Sequence, residues 1–306
     1  MKNKALKRLI CELFAIIISF SLFSFKPADT VKKDTVSNNN NGFKIKTIVV
    51  DAGHGVRPPG AEGHFSPGAK GSYSLERNVT LAVAYKLQDA IEKQMNGVRV
   101  VLTRKTEQDV SWQRRADIAN ENKGDLFISL HCNALPPRRV RKVVGHRHHK
   151  PIYRTVEVPN HSGRGVLILV YGNWRTKEEA KAINENRIEA DDTDSEMNAT
   201  FDPSDPEQVI LMNEYLRKYR RQSLRLANLI NDEFVNTDGR PSEGIREQGV
   251  LVLCHSAMPA VLVEMGYIDN PDDEAYLNSE KGQNEVVASI VRALIEYKNE
   301  VEQASR

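Results

Sequence analysis

The chain has 306 residues, of which 40% are hydrophobic and 27% are charged, and its formal net charge is +2. This proportion of apolar residues excludes an intrinsically disordered protein, and a mean hydropathy of −0.49 with a single long apolar run excludes a polytopic membrane protein. The near-neutral charge argues against a nucleic-acid partner, and three cysteines are too few for a disulfide scaffold.

The N-terminus is typical of an export signal. Four basic residues in positions 2–8 precede an apolar run over residues 13–25, which is short for a membrane-spanning helix of about 20 residues. We therefore predict a signal peptide over residues 1–25, with a retained membrane anchor as the alternative, and a polar linker over residues 26–42. The folded part is expected to be exported to the periplasm or cell envelope, with membrane contact only through the N-terminal segment.

Strand-like and helix-like segments alternate in the rest of the chain. The predicted strands cover residues 45–51, 98–103, 126–130, 166–171 and 259–264. The predicted helices cover residues 75–95, 111–122, 216–234 and 283–297. Because the strands are apolar on both faces, this alternation predicts an α/β fold with a mostly parallel twisted sheet and helices on both faces. We expect residues 43–300 to form a single catalytic domain.

Two stretches interrupt the alternation. Residues 136–163 are rich in Arg, Lys and His, whereas residues 174–206 are acidic and helix-like at first and turn-like around FDPSDPE. Long insertions in a compact domain are usually functional or disordered. We predict that both insertions extend over one face of the sheet.

Three residues that could bind a metal ion follow the predicted strands. His54 follows the first strand in DAGHG, His131 follows the third in SLHCN, and Glu76 begins the first helix. Ligands of open α/β sheets bind beyond the carboxyl ends of the strands, and we expect the glycines beside His54 to let the backbone turn sharply. Two histidines and one glutamate form a known catalytic zinc shell. The alternative for each residue is an ordinary loop histidine, or a glutamate that favours the helix dipole.

Glu264 lies at the end of the predicted strand PAVLVE. A buried carboxylate is costly unless it is paired with a positive charge or a metal. Two interpretations therefore stay open. Glu264 is either a general base beside an activated water, or the partner of an arginine such as Arg104.

Five motifs in order resemble the zinc-dependent N-acetylmuramoyl-L-alanine amidases, the cell-wall hydrolases with a catalytic domain of amidase type 3. They are VVDAGHG with PGAEG, LERNVTLAVAYKL, VVLTR, RRADIANENKGDLFISLHCNA and MPAVLVEMGYIDNPDDEAYL, and they span residues 46–297. The resemblance implies that one Zn²⁺ is held by His54, Glu76 and His131. It also implies that Glu264 is the catalytic glutamate.

The function implied by the resemblance is hydrolysis of the amide between N-acetylmuramic acid and L-alanine in peptidoglycan, for cell-wall remodelling and daughter-cell separation. One alternative is a zinc peptidase acting on stem peptides. The other is a non-catalytic wall-binding protein, which would be favoured if one of the four site residues were missing. Some relatives carry a helical insertion that blocks the site until an activator protein displaces it. Here residues 177–190, with Glu185 or Glu189, are the candidate plug, and the alternative is a solvated helix beside the cleft.

Two pairs of residues next to the proposed ligands carry further hypotheses. Asp51 and Asn133 are adjacent to strand ends that bear ligands, so we expect them to orient the imidazoles. Cys132 and Cys254 adjoin strands near the proposed site, and an oxidising compartment would permit a disulfide between them. Sequence spacing does not establish their proximity, so this pairing stays open.

A histidine-rich motif, GHRHH, lies in the basic insertion. Clustered histidines are one signature of metal binding, so His146, His148 and His149 are candidates for a second metal site. The alternative is a mobile basic loop that touches anionic wall polymer or makes no contact.

Overall fold

The structure is a computed structural model that describes residues 43–63, 65–172 and 205–305. The predicted signal peptide, the polar linker and nearly all of the acidic insertion, with Glu185 and Glu189, lie outside these residues. No helix in the described part of the chain is long and apolar enough to span a bilayer.

A six-stranded sheet forms the centre of the fold. The strands of the described residues are β1 (Thr47–Ala52), β2 (Arg99–Leu102), β3 (Leu126–Asn133), β4 (Arg138–Arg147), β5 (Lys150–Val158), β6 (Val166–Tyr171), β7 (Ser242–Gln248) and β8 (Ala260–Tyr267). The order in the central sheet is β2-β1-β3-β8-β6-β7. Neighbouring strands are parallel except β6 and β8, which are antiparallel. The predicted mostly parallel sheet is confirmed, and the antiparallel pair is an addition to it.

Helices cover both faces of this sheet, as predicted. They are α1 (Glu76–Gln94), α2 (Trp112–Glu121), α3 (Pro206–Asp232), α4 (Leu251–Cys254), α5 (Pro271–Asn278) and α6 (Glu280–Ala304), and a π-helical turn (Glu233–Thr237) follows α3. Helix α3 begins earlier than predicted because Asp205 caps it. The Asp205 side chain accepts from the backbone amide of Glu207, and a proline occupies the first turn.

Two separate hydrophobic clusters lie on the two faces of the sheet. Along β3, Ile128 and Leu130 belong to the larger cluster, which includes α1, α3 and α6 residues, whereas Phe127 belongs to the smaller one beside α2 and α4. This alternation follows from the pleat, which turns successive side chains to opposite faces. Cys132 is buried in the larger cluster and Cys254 in the smaller one, and no disulfide joins them.

The basic insertion is an ordered hairpin and not a loop. Strands β4 and β5 pair antiparallel in a sheet of their own, and the turn between them consists of His148 and His149, both with left-handed backbone φ (49° and 65°). Residues on both faces of the hairpin are exposed, so it does not cover a face of the central sheet as we expected. Because it buries no apolar face, its sequence carries no strong alternating pattern.

Candidate metal centre

Three of the predicted site residues meet at the carboxyl edge of β1 and β3. His54 lies just beyond β1, Glu76 is the first residue of α1, and His131 lies near the end of β3. One ligand atom from each side chain can be chosen so that all lie within 4.8 Å of one another. Among the residues that the structure describes, this is the only group of its kind.

Glu76 lies between the two histidines. Its Oε1 is 3.2 Å from Nε2 of His54 and 3.0 Å from Nδ1 of His131. Backbone amides hold the carboxylate in place, since Cys132 donates to Oε1 and Ala69 donates to Oε2. Burial by itself would raise the pKa of Glu76, but hydrogen bonds and charge interactions with His131 and His54 outweigh burial and hold that pKa far below its usual range. The carboxylate is therefore ionised and fixed in orientation.

The backbone turn at the first ligand is made by the histidine itself. His54 has a φ of 60°, which is left-handed and uncommon outside glycine, whereas its neighbours Gly53 and Gly55 do not have positive φ. These glycines provide space instead. A Cβ on Gly53 would lie 2.4 Å from Cε1 and Nε2 of His131, and one on Gly55 would lie 2.4 Å from the backbone of Asp109. The expectation that the glycines make the turn is therefore wrong.

Two buried arginines hold the chain that leads from β1 to His54. Arg104 donates to the carbonyl oxygens of Ala52 and Gly53, at 2.8 and 3.1 Å. Arg115 donates to the carbonyl oxygens of Ala52 and His54, at 2.6 and 3.0 Å. These bonds satisfy carbonyl groups that no longer have a partner strand, and they fix the strained turn at His54.

We expected Asp51 and Asn133 to orient the imidazoles, but within the described residues their side chains form hydrogen bonds with other groups. The carboxylate of Asp51 accepts from the Thr103 and Ser129 hydroxyls and from Arg115. Burial alone would raise the pKa of Asp51, but Arg115 and the two hydroxyls outweigh burial and lower it. The Oδ1 of Asn133 accepts from the backbone amide of the next residue. Asp51 therefore acts on His54 only indirectly, through Arg115.

Glu264 faces the same side of the sheet as His131. The two residues are paired in register on the parallel strands β8 and β3, and side chains paired in this way lie on one face. The Oε2 of Glu264 is buried and has no hydrogen-bond partner among the described residues. Burial raises the pKa of Glu264 to about 7, with His131 opposing the rise and Glu76 adding to it.

The alternative pairing of Glu264 with Arg104 is wrong. Arg104 donates to backbone carbonyl oxygens, including those of Thr106 and Arg77, and to the hydroxyl of Thr80. The buried Oε2 of Glu264 therefore has no hydrogen-bond partner, neither Arg104 nor any other residue in the described part of the chain. Such a group is costly to bury, so its retention at this position calls for a chemical reason.

A cleft of about 370 Å³ opens beside the histidines. Its polar side includes His54 and His131. Its apolar side consists of Val110, Trp112, Val250, Leu251, Val252 and Leu262. The Trp112 ring also contacts His255, with 5.1 Å between ring centroids. No sequence pattern pointed to this apolar wall, because Trp112 fits an ordinary amphipathic helix and residues 250–252 lie outside every predicted element.

The donor set fits a zinc ion. Two imidazole nitrogens and one carboxylate oxygen, with a cleft on the open side for a fourth ligand, are the ligands typical of catalytic zinc. A buried carboxyl group without a partner is also expected beside a site where a proton is moved. By contrast, His146, His148 and His149 form no such donor group within the described residues.

The chain resembles known proteins along most of its length. A family model described as N-acetylmuramoyl-L-alanine amidase matches residues 48–296. The germination-specific N-acetylmuramoyl-L-alanine amidase of Bacillus subtilis is 22% identical over 85% of this chain and 86% of its own length. The probable cell wall amidase LytH of Staphylococcus epidermidis is 27% identical over 85% of this chain, which spans 61% of that relative.

Among solved structures, the amidase AmiC2 of Nostoc punctiforme superposes with a TM-score of 0.51 at 22% sequence identity. The match covers 82% of this chain and 96% of that one. At this level of identity the likeness concerns the fold.

Proposed function

The chain belongs to the N-acetylmuramoyl-L-alanine amidase family, and we propose that it cleaves its peptidoglycan amide with one Zn²⁺ held by His54, Glu76 and His131. The bond is the amide between the lactyl group of N-acetylmuramic acid and L-alanine, so the enzyme is a cell-wall hydrolase. One observation carries the proposal. Two imidazoles and a carboxylate with ligand atoms within 4.8 Å lie on the same sheet edge as Glu264, whose buried Oε2 has no hydrogen-bond partner among the described residues.

The chain's own residues account for the proton transfers. When bound, Zn²⁺ polarises the scissile carbonyl and lowers the pKa of the attacking water. Glu264 accepts the proton of that water and passes it to the leaving nitrogen, because an amine cannot depart as an anion.

The first test replaces Glu264 by Gln, which removes the proton acceptor and keeps the shape of the side chain. We expect muropeptide hydrolysis to fall by at least about 100-fold, since general acid–base catalysis typically contributes 10² to 10⁴. Zinc content, measured by elemental analysis, is expected to stay at the wild-type value. A chelator should abolish wild-type turnover, and added Zn²⁺ should restore it.

The products of the same digestion separate the amidase from a peptidase. An amidase releases peptides with free L-alanine amino termini together with lactyl carboxylates. A zinc peptidase acting on stem peptides would leave the amide between sugar and peptide intact. Turnover retained by Glu264→Gln would contradict the role of this residue as the base.

We also propose that the enzyme acts after export, in the periplasm or cell envelope, and serves cell-wall remodelling that includes daughter-cell separation. The basic and apolar segments of the N-terminus and the cell-wall role named for the staphylococcal relative support this location. Deletion of the gene should give chains of unseparated cells. A complementing copy that lacks residues 1–25 should fail to separate them.

An activator protein is the partner that we propose for the acidic insertion. The sequence of residues 177–190 is acidic and rich in residues of high helix propensity, and Glu185 or Glu189 would cap the Zn²⁺ until the activator removes them. Deletion of residues 174–204 should then raise muropeptide release by the purified enzyme. The matched control is deletion of residues 138–158, a second insertion, which should not raise it. Unchanged or lower activity after the first deletion would contradict autoinhibition.

A further inference from the structure

The hairpin formed by β4 and β5 concentrates positive charge. Residues 138–158 contain seven Arg or Lys residues and a single acidic residue, Glu157, so this segment has a formal charge of +6. Because the whole chain has a charge of +2, all the other residues together have −4. The hairpin is exposed along nearly its whole length, so this charge does not serve the folding of the core.

The cations on the two faces of the hairpin differ in whether they have partners. On one face, Arg139 forms a salt bridge of 3.2 Å with Glu157, and Arg141 lies 4.7 Å from the ring centroid of Tyr153. The strand register assigns five cations to the opposite face, which we call the cationic face: Arg138, Lys142, Arg147, Lys150 and Arg154. Within the described residues, no salt bridge pairs any of these five.

A bulge is responsible for part of this arrangement. The register shifts between Val143 and Gly145, so that one residue of β4 has no partner. Without the shift, strict alternation would turn Arg147 away from Arg138 and Lys142. With it, Arg147 pairs with Lys150 and joins them on the cationic face.

Both faces of the hairpin expose large apolar side chains: Val143 and Tyr153, at 48% and 51%, on the opposite face, and Ile152 on the cationic face. Ile152, which lies between Lys150 and Arg154 on this face, is 45% exposed. Alternation adds Val140, Val156 and Val158, all half-buried, to the same face. A segment that presents both basic and apolar side chains can bind an anionic membrane, because the first kind is attracted to the headgroups and the second enters the interface.

We propose that the cationic face docks on an anionic lipid surface, with its five cations at the headgroup phosphates and Ile152 among the upper acyl segments. This contact replaces the expectation from the sequence that the N-terminal segment is the only part that touches a membrane. A soluble anionic polymer would pair with the cations but would leave Ile152 in water. A lipid surface accommodates both kinds of side chain, since basic residues are attracted to its negative potential and apolar ones enter its interface.

The root of the hairpin connects this docking to the enzyme. The backbone amide of Leu135 donates to the Oδ2 of Asp269 at 2.9 Å, and the side chain of Asn270 donates to the carbonyl oxygens of His161 and Gly163. Asp269 and Asn270 lie two and three residues beyond the end of β8, the strand that bears Glu264. Both ends of the hairpin are thus fastened at the edge where the metal centre lies, so docking sets the position of the cleft relative to the lipid.

The test compares two double variants of the full chain that remove the same charge. Lys142→Gln with Arg154→Gln alters the cationic face, and Arg139→Gln with Arg141→Gln alters the opposite one. Binding is measured by co-sedimentation with vesicles of phosphatidylcholine, with and without one-quarter phosphatidylglycerol. Each cation at an anionic surface contributes about fivefold, so the first variant should bind the anionic vesicles at least about tenfold more weakly and the second less than about threefold.

A second pair of variants tests the contribution of the exposed apolar side chain to lipid binding. Ile152→Ser should weaken binding to the anionic vesicles, whereas Val143→Ser, on the other face, should not. All variants should keep wild-type muropeptide turnover, because none of these residues lies in the cleft. Because every variant retains residues 1–25, differences between variants report on the hairpin.

Two results would overturn the proposal. One is an equal loss of binding in both double variants, which would indicate unspecific attraction by net charge. The other is tight binding of inorganic polyphosphate that competes with the vesicles while Ile152→Ser has no effect. That outcome would identify an anionic polymer as the partner.

Discussion

Among single residues, Gly53 is as important to the site as the three candidate ligands, because it has no side chain. Gly53 packs against the imidazole of His131 so closely that any Cβ would overlap with the ring. The ring cannot move away freely, because its Nδ1 is hydrogen-bonded to Oε1 of Glu76. The glycine in DAGHG is thus required by close approach and not by backbone freedom.

We predict that Gly53→Ala displaces the His131 ring and weakens zinc binding by about 10- to 100-fold, the range typical when the support of a metal ligand is removed. Zinc affinity would be measured by competition with a chromogenic chelator. Gly145→Ala is the control, since a Cβ there meets no atom within 4 Å. Equal affinities of Gly53→Ala and the wild type would contradict the steric argument.

Arg115 is the second residue on which the position of His54 depends. Burial by itself would lower the pKa of Arg115, but Asp51 and Asp109 outweigh burial and raise it, so the guanidinium stays charged. Its fork of donors reaches both carboxylates and the carbonyl oxygen of His54. A lysine cannot reproduce this fork.

We predict that Arg115→Lys lowers the free energy of unfolding by about 3 kcal/mol, because it leaves buried acceptors unpaired. Urea unfolding of both proteins measures this difference. Arg114→Lys is a matched control on the same helix, since the exposed salt bridge between Arg114 and Glu121 is worth at most about 1 kcal/mol. If both variants lost the same free energy of unfolding, the buried network would stabilise the protein no more than the exposed salt bridge does.

At the scale of elements, the loop before α1 is tied to α5 by one carboxylate. Glu274 accepts from the backbone amides of Ser72, Tyr73 and Ser74, each at 2.9 Å, and from the Ser74 hydroxyl. Burial opposes ionisation, but these hydrogen bonds outweigh it and lower the pKa of Glu274. The loop leads into Glu76, so this carboxylate helps to position the start of the helix that bears the ligand.

A lowered pKa in the folded state means that Glu274 stabilises the protein above the pKa of an unfolded glutamate, about 4.3, and loses this effect as the pH falls through the folded value. We predict that Glu274→Gln costs about 2 kcal/mol at neutral pH and progressively less below pH of about 4. Urea unfolding across this pH range measures the difference. A difference that is independent of pH would contradict the ionised carboxylate as the cause.

Strands and helices that bury an apolar face could be predicted from the sequence, whereas exposed strands could not. Strands β1, β3 and β6 are continuous apolar runs, because each is covered on both sides, and they were found within a few residues. Strand β7 (SEGIREQ) was missed, since it lies at the edge of the sheet and is partly exposed. The hairpin was missed for the same reason, because alternation in a sequence records burial and not hydrogen bonding.

At the scale of the whole molecule, the order of strands creates the site. Strand β8 is last in sequence but pairs with β3 near the middle of the sheet, which brings Glu264 into register with His131. A neighbouring position on β8 would turn the carboxylate to the larger hydrophobic cluster on the other face, where Val263 and Met265 lie.

Local patterns in the sequence predicted the α/β class and four candidate site residues, because they mark buried strands and their carboxyl ends. The resemblance of five motifs to a known family then implied which of the four are ligands and which is the base. Which long-range contacts form depends on the fold. In the fold, Arg104 binds backbone carbonyl oxygens instead of Glu264, Asp51 binds Arg115 and two hydroxyls instead of the imidazoles, and Cys132 and Cys254 lie in clusters on opposite faces of the sheet. Contacts between residues that are distant in sequence depend on strand order, on strand register and on which face of the sheet each side chain occupies. A local sequence pattern specifies none of these three.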